Sequence, residues 1–239
     1  MKIRSLLLLF TIAITLFSAA YFVFAGVDAY SRLREEMVEK QIKNRGIKDA
    51  NVLSAMRTVE RHRFVPKSRR LFAYADSALP IGEDQTISQP YIVALMTEAL
   101  RLKKGDKVLE VGTGSGYQAA ILGEFVDQVY TIEIICSLAN RSEKLLQELG
   151  YSNIHVKCGD GYLGWPDQAS FDAIIVTCAI DEVPGPLIEQ LAEGGRLVIP
   201  LGPQGYQNLT LIEKKDNQIT RSFITGCRFV PMTGDNVVQ

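Results

Sequence analysis

Polar positions all but vanish at the start of the chain: from Ser5 to Val27 no charged residue interrupts SLLLLFTIAITLFSAAYFVFAGV. A bilayer span takes about 20 residues, so this run is long enough to cross one. Lys2 and Arg4 precede it, and Val23-Phe24-Ala25 offers a small-residue cleavage site before Gly26. A cleaved signal and a retained anchor through residues 5–27 are therefore both open readings. Cations lie on both sides, with Arg32, Arg34, Lys40 and Lys43 following, so charge does not fix the orientation. Residues 1–27 are set apart as a leader, and 28–239 as the folded domain.

Beyond the leader the hydrophobic period becomes helical. Leu33, Met37, Val38 and Ile42 form one stripe over residues 29–45, with Gly46 as a stop. Asp49 suits the cap of a second short helix carrying Val52, Leu53 and Met56. Residues 61–90 show no period and are rich in turn formers and charge, which reads as irregular structure. Pro90 then opens a third helix, running to about Leu102 through Ile92, Leu95, Met96 and Leu100.

From residue 107 the pattern changes again. Lys107–Val111, Gln128–Ile132, Ile154–Cys158, Asp172–Thr177 and Arg196–Pro200 are short β-rich runs, separated by helical segments at 117–124, 136–149 and 186–192. The last helix is opened by Pro186 and closed by Gly194-Gly195. Alternation of this kind predicts an α/β, doubly wound Rossmann-like fold with a mostly parallel sheet and right-handed crossovers. The tail differs: Leu209–Glu213 and Ile219–Phe229 flank the polar turn Lys214–Gln218 and read as an antiparallel C-terminal edge hairpin. The result is one domain with an N-terminal helical extension.

Composition narrows the function classes. Of 239 residues, 26 are basic and 27 acidic, a formal charge of −1 that gives no electrostatic case for nucleic acid. With four cysteines, no C-x-x-C pair and only two histidines, His62 and His155, no metal site is expected. Cys158 and Cys178 close strands that a 3-2-1-4-5 order keeps apart, beyond the roughly 7 Å that a disulfide spans. All four cysteines are expected as buried free thiols.

Candidate chemistry lies at the strand ends. Val108-Leu109-Glu110-Val111 runs into Gly112-Thr113-Gly114-Ser115-Gly116 and then a helix. Glycines there allow positive φ and close approach of a ligand to the backbone. Tyr117 occupies the place where a dinucleotide fingerprint wants Gly or Ala. Glu133 ends the next strand, where a carboxylate accepts hydrogen bonds from ribose hydroxyls. Asp160, between Gly159 and Gly161, ends the third strand and can accept from an adenine amine, the plain alternative being an Asx turn. Glycine backbone, ribose acceptor and adenine acceptor, without a basic site for a pyrophosphate, describe S-adenosylmethionine better than a dinucleotide.

Further motifs carry a resemblance. Leu79-Pro80-Ile81-Gly82 followed by Gln85-Thr86-Ile87-Ser88-Gln89-Pro90, together with VLEVGTGSGYQAA (108–120), GDGYLGW (159–165), FDAIIVT (171–177), GGRLVIPLG (194–202) and FVPMTG (229–234), resembles the protein-L-isoaspartate O-methyltransferase family over roughly residues 31–234. The resemblance implies methylation of the free α-carboxylate of L-isoaspartyl residues in damaged proteins or peptides, with S-adenosylmethionine as donor. It places Ser88 as the active-site residue. It assigns Thr86, Glu110, Gly112, Gly114, Gly116, Glu133, Asp160, Gly161 and Thr233 to the cofactor site. Departures occur where many members have a Gly-containing pair and this chain has Glu83-Asp84, and where many have Ala-Ala-Pro and it has Cys178-Ala179-Ile180-Asp181. The added carboxylates would repel an anionic acceptor unless Arg61, Arg63, Lys67, Arg69 and Arg70 offset them, and those cations read as a solvated basic face.

A carboxylate acceptor is already anionic at neutral pH, so no general base is called for. Ser88 then orients the acceptor, or caps the helix at Pro90, or does both. The alternatives are a methyltransferase for another carboxylate or small molecule, and a non-catalytic, membrane-tethered binder of damaged peptides. Because the donor is made inside cells, a domain facing the cytoplasm is favoured, tethered or not, with export left open; a monomer is expected.

Overall fold

A computed structural model describes residues 29–234; the leader at 1–27 lies outside the described residues. Among the described residues no helix is long and apolar enough to cross a membrane. Six α-helices are described: α1 (29–36), α2 (Ala50–Thr58), α3 (Pro90–Ala99), α4 (Tyr117–Gly123), α5 (Cys136–Glu148) and α6 (Gly185–Gln190). The strands are β1 (Leu79–Gly82), β2 (Gln85–Ile87), β3 (Lys107–Val111), β4 (Gln128–Glu133), β5 (Ile154–Cys158), β6 (Phe171–Val176), β7 (Leu191–Leu201), β8 (Gln207–Lys215) and β9 (Gln218–Cys227).

Seven strands form one sheet in the order β5-β4-β3-β6-β7-β8-β9, parallel as far as β7 and antiparallel from β7 to β9. This is the anticipated 3-2-1-4-5 order with an edge hairpin added. Side chains alternate between two cores, as a two-fold period requires. Val108, Val129, Ala173 and Ile175 face the core packed by α2, α3 and α4, whereas Leu109, Ile174, Val176 and Leu187 fill the other. Strands covered on both faces read as near-continuous apolar runs, which is why they stood out in the sequence.

Several local expectations change. The first helical stretch is not one α-helix: after α1 it widens to a π-helix at Met37–Ile42 and tightens to 3-10 turns at Lys43–Arg45. Met37, Val38 and Ile42 are buried, but Leu33 is exposed. Asp49 does cap α2, accepting from the amides of Asn51 and Val52 at 2.9 and 3.0 Å. The helix that begins at Gly185 ends at Gln190, and Gly194-Gly195 lies within β7 rather than at a helix stop. Residues 61–90 are not irregular throughout, because β1 and β2 pair there as a separate antiparallel hairpin. Its two-residue turn is Glu83-Asp84, both at φ 54°, a conformation that favours Asn or Gly.

The cysteines require a correction. Cys136 opens α5 and Cys158 ends β5; their Cα atoms are 5.1 Å apart and the two are joined by a disulfide. Cys178 and Cys227 remain free. β4 neighbours β5, with Glu133 opposite Cys158, so α5 starts beside that strand end and brings Cys136, not Cys178, within reach of Cys158. Closing this 22-residue separation stabilises the fold by about 3 kcal/mol in the chain-entropy picture. Reduction should therefore lower the melting temperature by about 6–12 °C in scanning calorimetry. Cys136→Ser/Cys158→Ser should already melt low and ignore reductant; equal melting of the native chain with and without reductant refutes the bond.

Candidate active site

After β3 the chain builds β4 and β5 to one side, then crosses to β6 and β7 on the other. A crevice therefore opens at the carboxyl ends of β3 and β6, where open α/β sheets bind ligands. β3 leaves the sheet through Gly112, at φ 99°. Its amide donates to the Ile132 carbonyl at 2.8 Å, and a Cβ there would fall on the Thr177 hydroxyl. That hydroxyl lies 2.7 Å from the Gly112 carbonyl. Ser142 of α5 donates to the Gly114 carbonyl at 2.6 Å. The glycine loop is thus pinned from both flanks before α4 begins.

Glu133, at the end of β4, is buried and faces this loop. Its Oε2 accepts from the Gly114 amide at 2.8 Å and its Oε1 from the Ile135 amide at 3.0 Å. Each carboxylate oxygen accepts more than one hydrogen bond, so capacity remains for two hydroxyls.

Glu110 lies deeper, fully buried in β3. Thr131 donates to its Oε2 at 2.6 Å and in turn shares a 2.7 Å hydrogen bond with Thr113. Its Oε1 has no partner among the described residues. Burial pushes its pKa up to about 8, the Thr131 bond opposes this, and Glu133 adds to it. The folded chain therefore holds a proton that the unfolded chain releases near 4.5. That contribution to stability is complete below about 4.5, shrinks as pH rises, and is lost above about 8. Melting temperature should fall across this window, and Glu110→Gln should flatten the fall. An unchanged slope in the variant would assign the pH dependence elsewhere.

On the acceptor side, β2 delivers Thr86, and Ser88 follows it, half-buried. Ser88 does not cap the third helix. Gln89 is the N-cap residue, and no side chain caps there. The Ser88 carbonyl instead accepts from Arg61 at 2.7 Å. Arg61 is fully buried, also donates to the Ala73 carbonyl at 2.8 Å, and lies 4.8 Å from the Tyr117 ring centroid. It therefore leaves the solvated basic face read from the sequence and ties the Ser88 segment to the start of α4. His62 is structural in its surroundings, bonded to the Tyr74 hydroxyl at 2.8 Å and stacked on Tyr30.

The C-terminal segment closes the cleft. Ala179 donates to Val230, and Met232 donates back to Ala179 at 2.6 Å, which brings Thr233 alongside. Of the ten residues singled out from the sequence, Thr86, Ser88, Glu110, Gly112, Gly114, Glu133, Gly161 and Thr233 line one cleft. Gly116 does not line it. At φ 83° it is the N-cap of α4, and a Cβ there would press on Leu146 and Ser142. Asp160 is outside the lining too: it makes the Asx turn, accepting from the Tyr162 amide at 2.9 Å. Thr113, Ile134, Thr177 and Met232 also line the cleft and were missed. Thr177 is the last residue of the run Asp172–Thr177, and its place at a strand end was the available signal. Neither Glu83, Asp84 nor Asp181 lines the cleft, and Glu83 accepts from Ser137 at 3.1 Å.

A doubly wound sheet with an antiparallel edge, a glycine loop after its first parallel strand and a carboxylate after the second defines the class of S-adenosylmethionine-dependent methyltransferases. Comparison with known proteins narrows this. Residues 32–237 match the model of the protein-L-isoaspartate(D-aspartate) O-methyltransferase family, to which the chain belongs. It is 57% identical over 208 residues to Protein-L-isoaspartate O-methyltransferase 2 of Shewanella sediminis, covering 87% of this chain and 85% of that one. Identity to the Protein-L-isoaspartate O-methyltransferase of Opitutus terrae is 54%, over 86% and 90% of the two chains. Among solved structures it is similar to a Plasmodium falciparum chain assigned to the same activity and in complex with S-adenosyl-L-homocysteine. The TM-score is 0.74 at 27% identity, over 85% of this chain and 98% of that one.

Proposed function

We infer that the chain transfers a methyl group from S-adenosylmethionine to the free α-carboxylate of L-isoaspartyl residues, the entry step of protein repair. One observation carries the site assignment: the Thr86–Ser88 segment and the Gly112–Gly114 loop with Glu133 line a single cleft. The residues present fit the donor. Glu133 retains acceptor capacity, and Glu110 Oε1 is a buried polar atom without a partner among the described residues.

When bound, S-adenosylmethionine supplies an electrophilic methyl group. The protein has three tasks around it. Glu133 accepts from the ribose hydroxyls, and the glycine backbone lets the nucleoside approach. The cleft walls exclude water. Ser88 donates to the acceptor carboxylate and aims one oxygen along the line of attack, about 3–3.5 Å from the methyl carbon. Asp160 and Gly116 act indirectly, through the turn and helix start that they shape. The chain works as a monomer in this reading, since both walls come from one chain.

An isoaspartyl peptide incubated with labelled donor should yield a base-labile ester that releases labelled methanol. Labelling of other carboxylates alone would overturn the acceptor assignment, and donor binding without transfer would overturn catalysis. The supply of donor favours a domain facing the cytoplasm, tethered through residues 5–27 or released. The Cys136–Cys158 bond, of a kind that persists in oxidising compartments, favours export. Mass spectrometry of the mature N-terminus in fractionated cells decides between them.

A further inference from the structure

A second cavity opens beside the cleft, and Thr86, Ser88, Thr177 and Val230 line both. Any peptide whose isoaspartyl carboxylate sits at Ser88 therefore has its neighbouring residue within reach of this space. Only two charged residues line it, Asp76 and Arg228. Asp76 is already engaged, with Arg45 at 3.1 Å and Gln89 at 2.8 Å. Arg228 is exposed and takes part in none of the ion pairs among the described residues. Its backbone is held on either side: Cys227 pairs with Gln207 across β8 and β9, and the Phe229 amide donates to Gln207 Oε1 at 2.9 Å. Arg228 is thus a cation on a held backbone next to the acceptor site, without an ion-pair partner among the described residues.

Resting on the isoaspartyl reading above, we propose that Arg228 is a specificity-determining residue that receives an acidic side chain flanking the isoaspartyl residue of the substrate. Among the described residues the unpaired charge beside the acceptor site is positive, and the additional carboxylates Glu83, Asp84 and Asp181 line neither cavity.

The test uses isoaspartyl peptides that differ only in having Glu, Gln or Lys next to the isoaspartyl residue, in one set after it and in another before it. For the native chain kcat/KM should favour Glu over Lys by about tenfold in at least one set, because attraction and repulsion each contribute a partly screened pair. The preference should shrink as salt rises. Arg228→Gln should bring the ratio to within about twofold, and Arg228→Glu should invert it, while affinity for S-adenosyl-L-homocysteine, measured by calorimetry, stays unchanged. A native ratio within twofold in both sets, or an undiminished ratio in Arg228→Gln, overturns the assignment of Arg228 alone. Absence of transfer to every peptide by a native chain that binds S-adenosyl-L-homocysteine overturns the acceptor reading and this inference with it.

Discussion

Replacing Ser88 by Ala should lower kcat for an isoaspartyl peptide about 100-fold and leave affinity for S-adenosyl-L-homocysteine within about twofold. The nucleophile is a carboxylate with a pKa of about 3.3–4.3, so no proton has to be removed from it at neutral pH. What remains for the protein is placement. A hydrogen bond to a charged group contributes about 1.5–3 kcal/mol, which corresponds to roughly 10–150-fold in rate when it acts in the transition state. The substitution is clean because the Ser88 segment is held by its backbone, through the carbonyl bonded to Arg61, and not by its hydroxyl. Steady-state kinetics with calorimetry on the same preparation measure both quantities. Undiminished kcat would remove Ser88 from the mechanism.

Replacing Glu133 by Ala should weaken binding of donor and demethylated product about 100-fold or more. In the proposed site the carboxylate accepts from two ribose hydroxyls, and losing both charge-assisted bonds costs about 3 kcal/mol or more. It also latches the Gly114 and Ile135 amides, so the variant leaves two donors without their acceptor and loosens the loop that cradles the ligand. Glu133→Gln keeps the shape and one acceptor oxygen, and should fall between the native chain and Ala. Titration calorimetry with S-adenosyl-L-homocysteine gives the ranking. A Glu133→Ala affinity within threefold of native would show that ribose is held elsewhere.

Much of this architecture was readable from the chain. Val108–Val111 and Ala173–Val176 are strands covered on both faces, and such strands must be apolar at nearly every position. Glu133 could be placed because a strand end fixes a residue relative to the crevice, whatever the helices do. The features that escaped depend on contacts between segments. The β1–β2 hairpin was invisible because Glu83-Asp84 adopts positive φ without the Asn or Gly that announces such turns. The Cys136–Cys158 pair needed knowledge of where α5 starts relative to β5. Arg61 looked like one more surface cation because charge says nothing of depth; its burial is set by the Ala73 and Ser88 carbonyls and the Tyr117 ring. Gly116 and Gly112 look alike in a glycine-rich string. The fold separates them, turning one toward Ser142 and Leu146 and the other toward Thr177.

The strap from Val230 to Thr233 adds a consequence for biosynthesis. It crosses to Ala179 and supplies one wall of the cleft, although the rest of the lining is complete by Cys178. A nascent chain can therefore assemble its nucleoside-holding half long before it can react. Competence arrives only when translation has passed residue 233, so a ribosome that stalls earlier releases a product unable to modify its neighbours.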